Sequence, residues 1–164
     1  MTDTPRADDI REPHLLSRPD FLGAFGVIER GGRTLFVLNE RTIDGAEVAV
    51  WDLPGGQVEP GELLLDTLAR ELHEEIQVTV RGQPAFEYLQ EGERVVAGRR
   101  LYAWRTFFFS VAEYEGEPAA SSEIGGIRWM TKAEQLEELT APYHDSYRSW
   151  LQHGGTLFRS QWID

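Results

Sequence analysis

Residues 55–78 read GGQVEPGELLLDTLARELHEEIQV. Leu64, Leu65, Leu68, Ala69, Leu72 and Ile76 recur at the three- and four-residue spacing of an amphipathic helix, so a helix is predicted over Glu62–Ile76, opening after Pro60 and Gly61. At 100° per residue with Leu68 as origin, the apolar stripe runs from about −40° to about 100°, while Glu71 falls at about −60°, Glu74 at about −120° and Glu75 at about −20°. Three carboxylates therefore crowd one flank, and Glu75 lies inside the stripe. A solvated helix would set its acids opposite the stripe, and uncompensated like charges three or four residues apart cost a few tenths of a kcal/mol each. Arg70 is the segment's one arginine or lysine, and it is not expected to face these acids from one turn away. A hard divalent cation is the expected partner, because Mg²⁺ is held by a few carboxylates and completes its shell with water and phosphate.

Outward from the helix, FLGAFGVIER (21–30) and TLFVLNER (34–41) are apolar runs parted by Gly31-Gly32-Arg33, a hairpin signal, and VAVWDL (48–53) is a third strand ended by Pro54-Gly55-Gly56. Beyond the helix, 78–80 and 85–89 read as strand pieces and 90–98 as a charged turn. The longest predicted strand is RLYAWRTFFFSVAEYEG (100–116), followed by IRWM (127–130). Thr131, with Glu134 three residues on, forms a capping box for a helix through Leu139, and a second helix is predicted over His144–Leu151. This order gives an α/β fold in which each amphipathic helix covers a sheet face. Residues 1–20, with Pro5, Pro13 and Pro19 among many charges, read as a tail or arm, which in a homodimer would pack on a partner subunit; 21–164 read as one domain.

Composition narrows the chemistry. The chain of 164 residues has no cysteine, which excludes disulfides, thiolate metal sites and cysteine nucleophiles. A net charge of −12 disfavours nucleic acid and anionic membranes as partners. The polar N-terminus and the lack of any long apolar run point to a cytoplasmic protein. The four histidines form no metal-binding pair, and no P-loop, nucleophile elbow or dinucleotide fingerprint is present.

The segment resembles the Nudix box, G-x5-E-x7-R-E-U-x-E-E-x-G-U with U aliphatic. Gly56, Glu62, Arg70, Glu71, Leu72, Glu74, Glu75 and Val78 all match, and Gln77 stands where the box has its second glycine. Six charged or glycine matches at background frequency arise by chance on the order of 10⁻⁷ to 10⁻⁸ per start position. Trp51 before LPGG and a late Trp-containing strand followed by a helix extend the likeness. The resemblance implies a Nudix-type α/β/α sandwich, with a mixed β-sheet and the loop–helix–loop packed on it. A left-handed turn at residue 77 suits glycine, so Gln77 implies a turn built differently.

For activity, the resemblance implies Mg²⁺-dependent hydrolysis of a pyrophosphate bond in a nucleotide, with Mn²⁺ as a substitute. It implies Glu71, Glu74, Glu75 and the Gly55 carbonyl as metal ligands. Glu71 or a later loop acid, Glu123 or less favourably Glu117, would be the general base. Arg70 would orient Glu71, and Glu62 would reach metal through water. Arg41, Arg99, Arg100 and Arg105 are candidates for substrate phosphate. Tyr102, Trp104 and Phe108 share a strand face, whose commoner meaning is core packing and whose functional meaning is stacking on a base, with Trp104 the candidate. The expected substrate is a nucleoside or deoxynucleoside triphosphate, damaged ones included, cleaved to the monophosphate and pyrophosphate. ADP-ribose or a nucleotide sugar is the alternative, and a non-catalytic nucleotide sensor a further one. The Tyr or Pro marking some ADP-ribose and dinucleoside polyphosphate hydrolases is absent from 94–96, and removal of RNA 5′ phosphates is disfavoured by the charge. Within 55–78, six acids against Arg70 leave a local charge of −5, which bound divalent cations would offset.

Overall fold

A computed structural model describes residues 20–164; the predicted tail, up to residue 19, lies outside them. The central sheet has the order β11-β7-β8-β1-β5, built from β1 (Asp20–Val27), β5 (Gly55–Gln57), β7 (Ala85–Val96), β8 (Arg99–Ser110) and β11 (Leu157–Ile163). It is mixed: β1 runs parallel to β8 and β11 parallel to β7, while β5 and β8 meet β1 and β7 antiparallel. Against it stands a second sheet in which β3 (Arg33–Ile43) pairs with β2 (Glu29–Arg30), β4 (Ala46–Asp52) and β10 (Ile127–Met130). Short strands β6 (Thr79–Val80) and β9 (Tyr114–Glu115) pair separately.

Helix α1 (Leu64–Ile76) covers one side, and its stripe is the predicted one. Leu68, Leu72 and Ile76 are buried with Ala24, Ile28, Leu35, Val37, Val78, Phe109 and Val111. Each such side chain contributes about 1.5–3 kcal/mol on burial. On the opposite side α2 (Lys132–Glu138), a 3₁₀ turn at Pro142–His144 and α3 (Asp145–His153) close a second core of Val27, Phe36, Leu53, Tyr88, Phe108, Met130, Leu139 and Tyr147. The result is the expected α/β/α sandwich. Among the described residues no helix is long and apolar enough to cross a membrane.

The local expectations need five adjustments. The hairpin read between 21–30 and 34–41 forms only where β2 meets β3, because β1 ends at Val27 and pairs with β8 and β5 in the central sheet. Helix α1 begins at Leu64, because Glu62 accepts the Glu59 N–H (2.9 Å) and the Thr67 hydroxyl (3.1 Å) and so closes the entry loop instead of opening the helix. The charged run 90–98 is strand, with only Ala97–Gly98 turning: Glu93 pairs with Arg100 (2.5 Å) and Arg94 with Asp164 (2.5 Å), so neighbouring strands neutralise the run. The long strand stops at Ser110, and Tyr114–Glu115 crosses to β6. Strand β11, after Gly154-Gly155, went unassigned in the sequence because its polar and apolar residues alternate without a recognisable hairpin to a neighbour; its partners on β7 lie far back in the chain, Leu157 against Leu89 and Ile163 against Val95.

Candidate active site

The acidic helix meets the sheet at Gly55 and Gly56. A Cβ at Gly56 would stand 2.5 Å from Glu71 Oε1, and one at Gly55, whose φ is +147°, would stand 2.3 Å from the Ala24 carbonyl, so both glycines permit this approach. Beside Glu71 lies Glu75, only 8% exposed, with Oε2 buried and without a hydrogen-bond partner. Burial, and next the adjoining Glu71 carboxylate, push the Glu75 pKa up to about 8, against a backbone hydrogen bond at Gly55 and the more distant charge of Arg41. Burial likewise raises Glu71, opposed by Arg70.

Arg70 is where the sequence reading is corrected. Its guanidinium donates to Glu62 (2.8 and 3.0 Å), Glu71 (3.0 Å), Glu74 (3.1 Å, one turn on) and the Gln57 carbonyl (3.1 Å). It thus makes the contact to Glu71 that the resemblance implies, reaches Glu74 one turn on, which helix angle alone did not predict, and holds Glu62 down to about 2. Among the described residues no three acids or histidines stand in mutual metal-holding geometry, and Arg70 is paired with Glu71 and Glu74. A carboxylate cluster that keeps one buried oxygen unpartnered nevertheless has the hard oxygen donors a divalent cation takes. The residues fit such an ion.

Gln77 also corrects the expectation. It does adopt the left-handed conformation, φ 61° and ψ 30°, so the helix ends as a glycine would end it. Its amide donates to the carbonyls of Ala119 (3.4 Å) and Ala120 (3.1 Å), contacts glycine could not make. The N–H groups of Ala119 and Ser121 bond the Ile76 and Glu75 carbonyls (3.0 Å each), fastening the 116–126 loop to this helix end. Glu123 lies on that loop but is exposed, and its recorded hydrogen bond runs from its own N–H to Ser121 Oγ (3.2 Å). Glu117 bonds Arg30 (2.7 Å).

On the other side of the central sheet is a cavity of about 360 Å³. Its walls are Phe21 and Phe25 of β1, Tyr102, Trp104 and Phe108 of β8, and Trp162 of β11. The aromatic stripe of β8 does both: Trp104 and Phe108 are buried, Phe108 in the second core as packing predicts, and with Tyr102 they line the cavity. Trp104 is fixed by its indole N–H to Gln90 Oε1 (2.9 Å) and lies over Gly92, where a Cβ would stand 2.1 Å from the ring. Arg41 lines the same cavity, whereas Arg99 is exposed, Arg100 pairs with Glu93, and Arg105 pairs with Asp20 (3.4 Å) and Glu91 (3.7 Å). The sequence reading missed Asp52, Gln90, Tyr143, His144 and Trp162. Asp52, immediately before LPGG, was the one that position could have flagged. Buried Asp52 accepts from Asn39 (3.1 Å), Arg41 (3.0 Å), Tyr143 (3.0 Å) and His144 (2.9 Å). Burial opposes its charge, but the His144 hydrogen bond and Arg41 outweigh this and lower its pKa. From Asp52 the chain runs through Leu53 and Pro54 to Gly55 and Gly56, so the cavity wall continues directly into the glycines that the acidic helix approaches.

Comparison with known proteins agrees with this geometry. The NUDIX domain profile matches residues 20–153. The CTP pyrophosphohydrolase of Escherichia coli K12 is 34% identical over 120 residues, covering 71% of this chain and 79% of that protein. The 8-oxo-dGTP diphosphatase of the same organism is 31% identical over 108 residues, covering 66% and 78%. Among solved structures, a MutT protein from Bacillus halodurans superposes with a TM-score of 0.69 at 24% identity, covering 87% of this chain and 89% of that one. The E. coli ORF135 protein does so with 0.63 at 25%, covering 83% and 89%. The box residues, the α/β/α sandwich carrying them and these relatives together place the chain in the Nudix hydrolase family.

Proposed function

We propose that the protein hydrolyses a nucleoside or deoxynucleoside triphosphate to the monophosphate and pyrophosphate, with Mg²⁺ as the working ion and Mn²⁺ as a substitute. The observation that carries this reading is the buried, unpartnered Glu75 oxygen beside Glu71, together with an aromatic cavity large enough for a nucleobase whose wall at Asp52 leads directly into Gly55 and Gly56. The base stacks in the cavity against Trp104, and the polyphosphate crosses Pro54–Gly56 toward the acids. Glu71, Glu74, Glu75 and the Gly55 carbonyl are the groups that would hold the ion, which when bound neutralises phosphate charge and makes a water a better nucleophile.

In the reaction, the water oxygen forms a bond to a phosphorus of the anhydride, and the bridging oxygen leaves with its electron pair on pyrophosphate. The water proton passes to a carboxylate. Glu71 is the base we favour, because it is half-buried, raised in pKa and held in place by Arg70 (3.0 Å); Glu123 is the alternative. Within this reading the relatives' substrates, CTP and 8-oxo-dGTP, support a triphosphate over ADP-ribose.

A panel of NTPs, dNTPs, ADP-ribose and nucleotide sugars, assayed for pyrophosphate and phosphate release in Mg²⁺, tests it. Turnover of triphosphates is expected, with a loss of about 10²-fold or more in kcat for Glu75→Gln. Activity confined to sugar nucleotides, or unchanged turnover in Glu75→Gln, would overturn it.

A further inference from the structure

The hydrogen-bonding capacity of the cavity wall is unevenly spent. Asp52 Oδ1 accepts from the Tyr143 hydroxyl and His144 Nε2, and Oδ2 accepts from Asn39 Nδ2 and Arg41 Nε, so all four of its acceptor positions are taken. His144 Nδ1 accepts the Ala141 N–H (3.2 Å), which puts the ring proton on Nε2 and leaves neither nitrogen free. Gln90 Oε1 accepts from Trp104 and from Thr106 (3.3 Å), and its Nε2 donates to the Tyr143 carbonyl (2.9 Å) and Asp145 (3.5 Å). Neither the carboxylate nor the amide of the wall keeps an acceptor for a ligand.

Arg41 differs. Its Nε and Nη2 face Asp52 (3.0 and 2.9 Å) and Tyr143 takes one further contact, so at least two of its five N–H groups stay unspent on a side chain that lines the cavity. Asp52 offsets part of its charge, which weakens its pull on a distant phosphate. What it offers at short range is a planar fork of donors held at one orientation in an aromatic wall. Such a fork is matched by two adjacent acceptors.

We propose that Arg41, positioned by Asp52, reads the nucleobase, and that the site selects bases presenting two adjacent acceptors. Those bases are cytosine, through N3 and O2, and unoxidised guanine, through N7 and O6. Thymine and uracil place an N3–H between their carbonyls, and adenine sets an amino group beside each ring acceptor of its reading edges. Oxidation of guanine at C8 puts a proton on N7 and turns one acceptor into a donor. The inference rests on the reading of the cavity as the base site.

The test uses the full chain, wild type and Arg41→Lys, in two assays. The first is kcat/KM for dCTP, dGTP, 8-oxo-dGTP, dTTP and dATP in Mg²⁺; the second is tryptophan-fluorescence quenching by the corresponding monophosphates in EDTA. Wild type is expected to favour dCTP or dGTP over the other three by about tenfold or more, carried in KM, and the matching monophosphates should bind in the same order. Which of the two leads names the base. Arg41→Lys keeps the charge and loses the fork, so the preference should shrink to within about twofold. A wild-type preference for 8-oxo-dGTP or dTTP, or an equal loss on every nucleotide in Arg41→Lys, as a phosphate contact would give, overturns the proposal. Ordered monophosphate binding without turnover would count against the hydrolytic reading alone, and turnover without base preference against this one alone.

Discussion

At the scale of single residues, Glu75 joins folding to chemistry. Its pKa of about 8 in the ion-free fold stands well above its ordinary 4.5. Between those pH values the folded state holds a proton that the unfolded chain has released, so stability is fully present below about pH 4.5 and is lost as pH rises through about 8. The shift corresponds to a few kcal/mol. Urea melts in EDTA should therefore show wild type weaker at pH 8 than at pH 6. Glu75→Gln should flatten that slope and be the more stable of the two at pH 8 by up to a few kcal/mol. A Gln variant less stable than wild type at pH 8 would remove the argument. Added Mg²⁺ should stabilise wild type more at pH 8 than at pH 6, since a proton competes for the same oxygen at the lower value. The anomaly of Glu75 was legible in the sequence, because angle alone puts it in the apolar stripe. The reach of Arg70 was not: angular position fixes where a side chain leaves the helix, and a guanidinium on three methylenes can span from Glu62 before the helix to Glu74 one turn on.

Among the elements, α1 and the paired strands β3 and β4 were readable because one period or one turn signal dominates each. Strand β7 was not, because its charged residues mimic a turn until Arg100 on the adjacent strand and Asp164 from the far end of the chain neutralise them. Gly92 carries the missing signal: a glycine in a strand marks a close approach, here of the Trp104 ring across the β7–β8 pair. A methyl group there would overlap an indole that Gln90 holds in place. Gly92→Ala should thus displace Trp104, at a cost of about 1–3 kcal/mol in stability. The nucleotide KM should rise several-fold, while kcat, set on the other side of the sheet, falls by less than about twofold. Steady-state kinetics with a fluorescence spectrum of the variant checks both; an unshifted KM would show that Trp104 does not contact the base.

For the whole molecule, the mixed sheet separates two sets of residues. One side carries α1 and the acids, the other the aromatic cavity, and Asp52–Gly56 is the chain that links them. That division was beyond the sequence, which shows which residues share a strand face but not which neighbouring strand faces them; β11, with Trp162 on the cavity wall, is the clearest instance. The separation has an energetic consequence. Trp104 is held by Gln90 and Glu74 by Arg70, and the two sets share no partner. Trp104→Ala should cost about 1–3 kcal/mol, the worth of one stacked base, mainly in KM. Glu74→Gln should act on kcat and on the concentration of Mg²⁺ required. In the double variant the two losses in kcat/KM, expressed as free energies, should add to within about 0.5 kcal/mol, as for sites without common contacts. An interaction energy above about 1 kcal/mol would mean instead that the stacked base sets where the anhydride lies among the carboxylates. The linking segment would then act as a lever between the two sides, and Pro54, whose carbonyl accepts the Gly26 N–H (2.8 Å), would be the residue on which that lever turns.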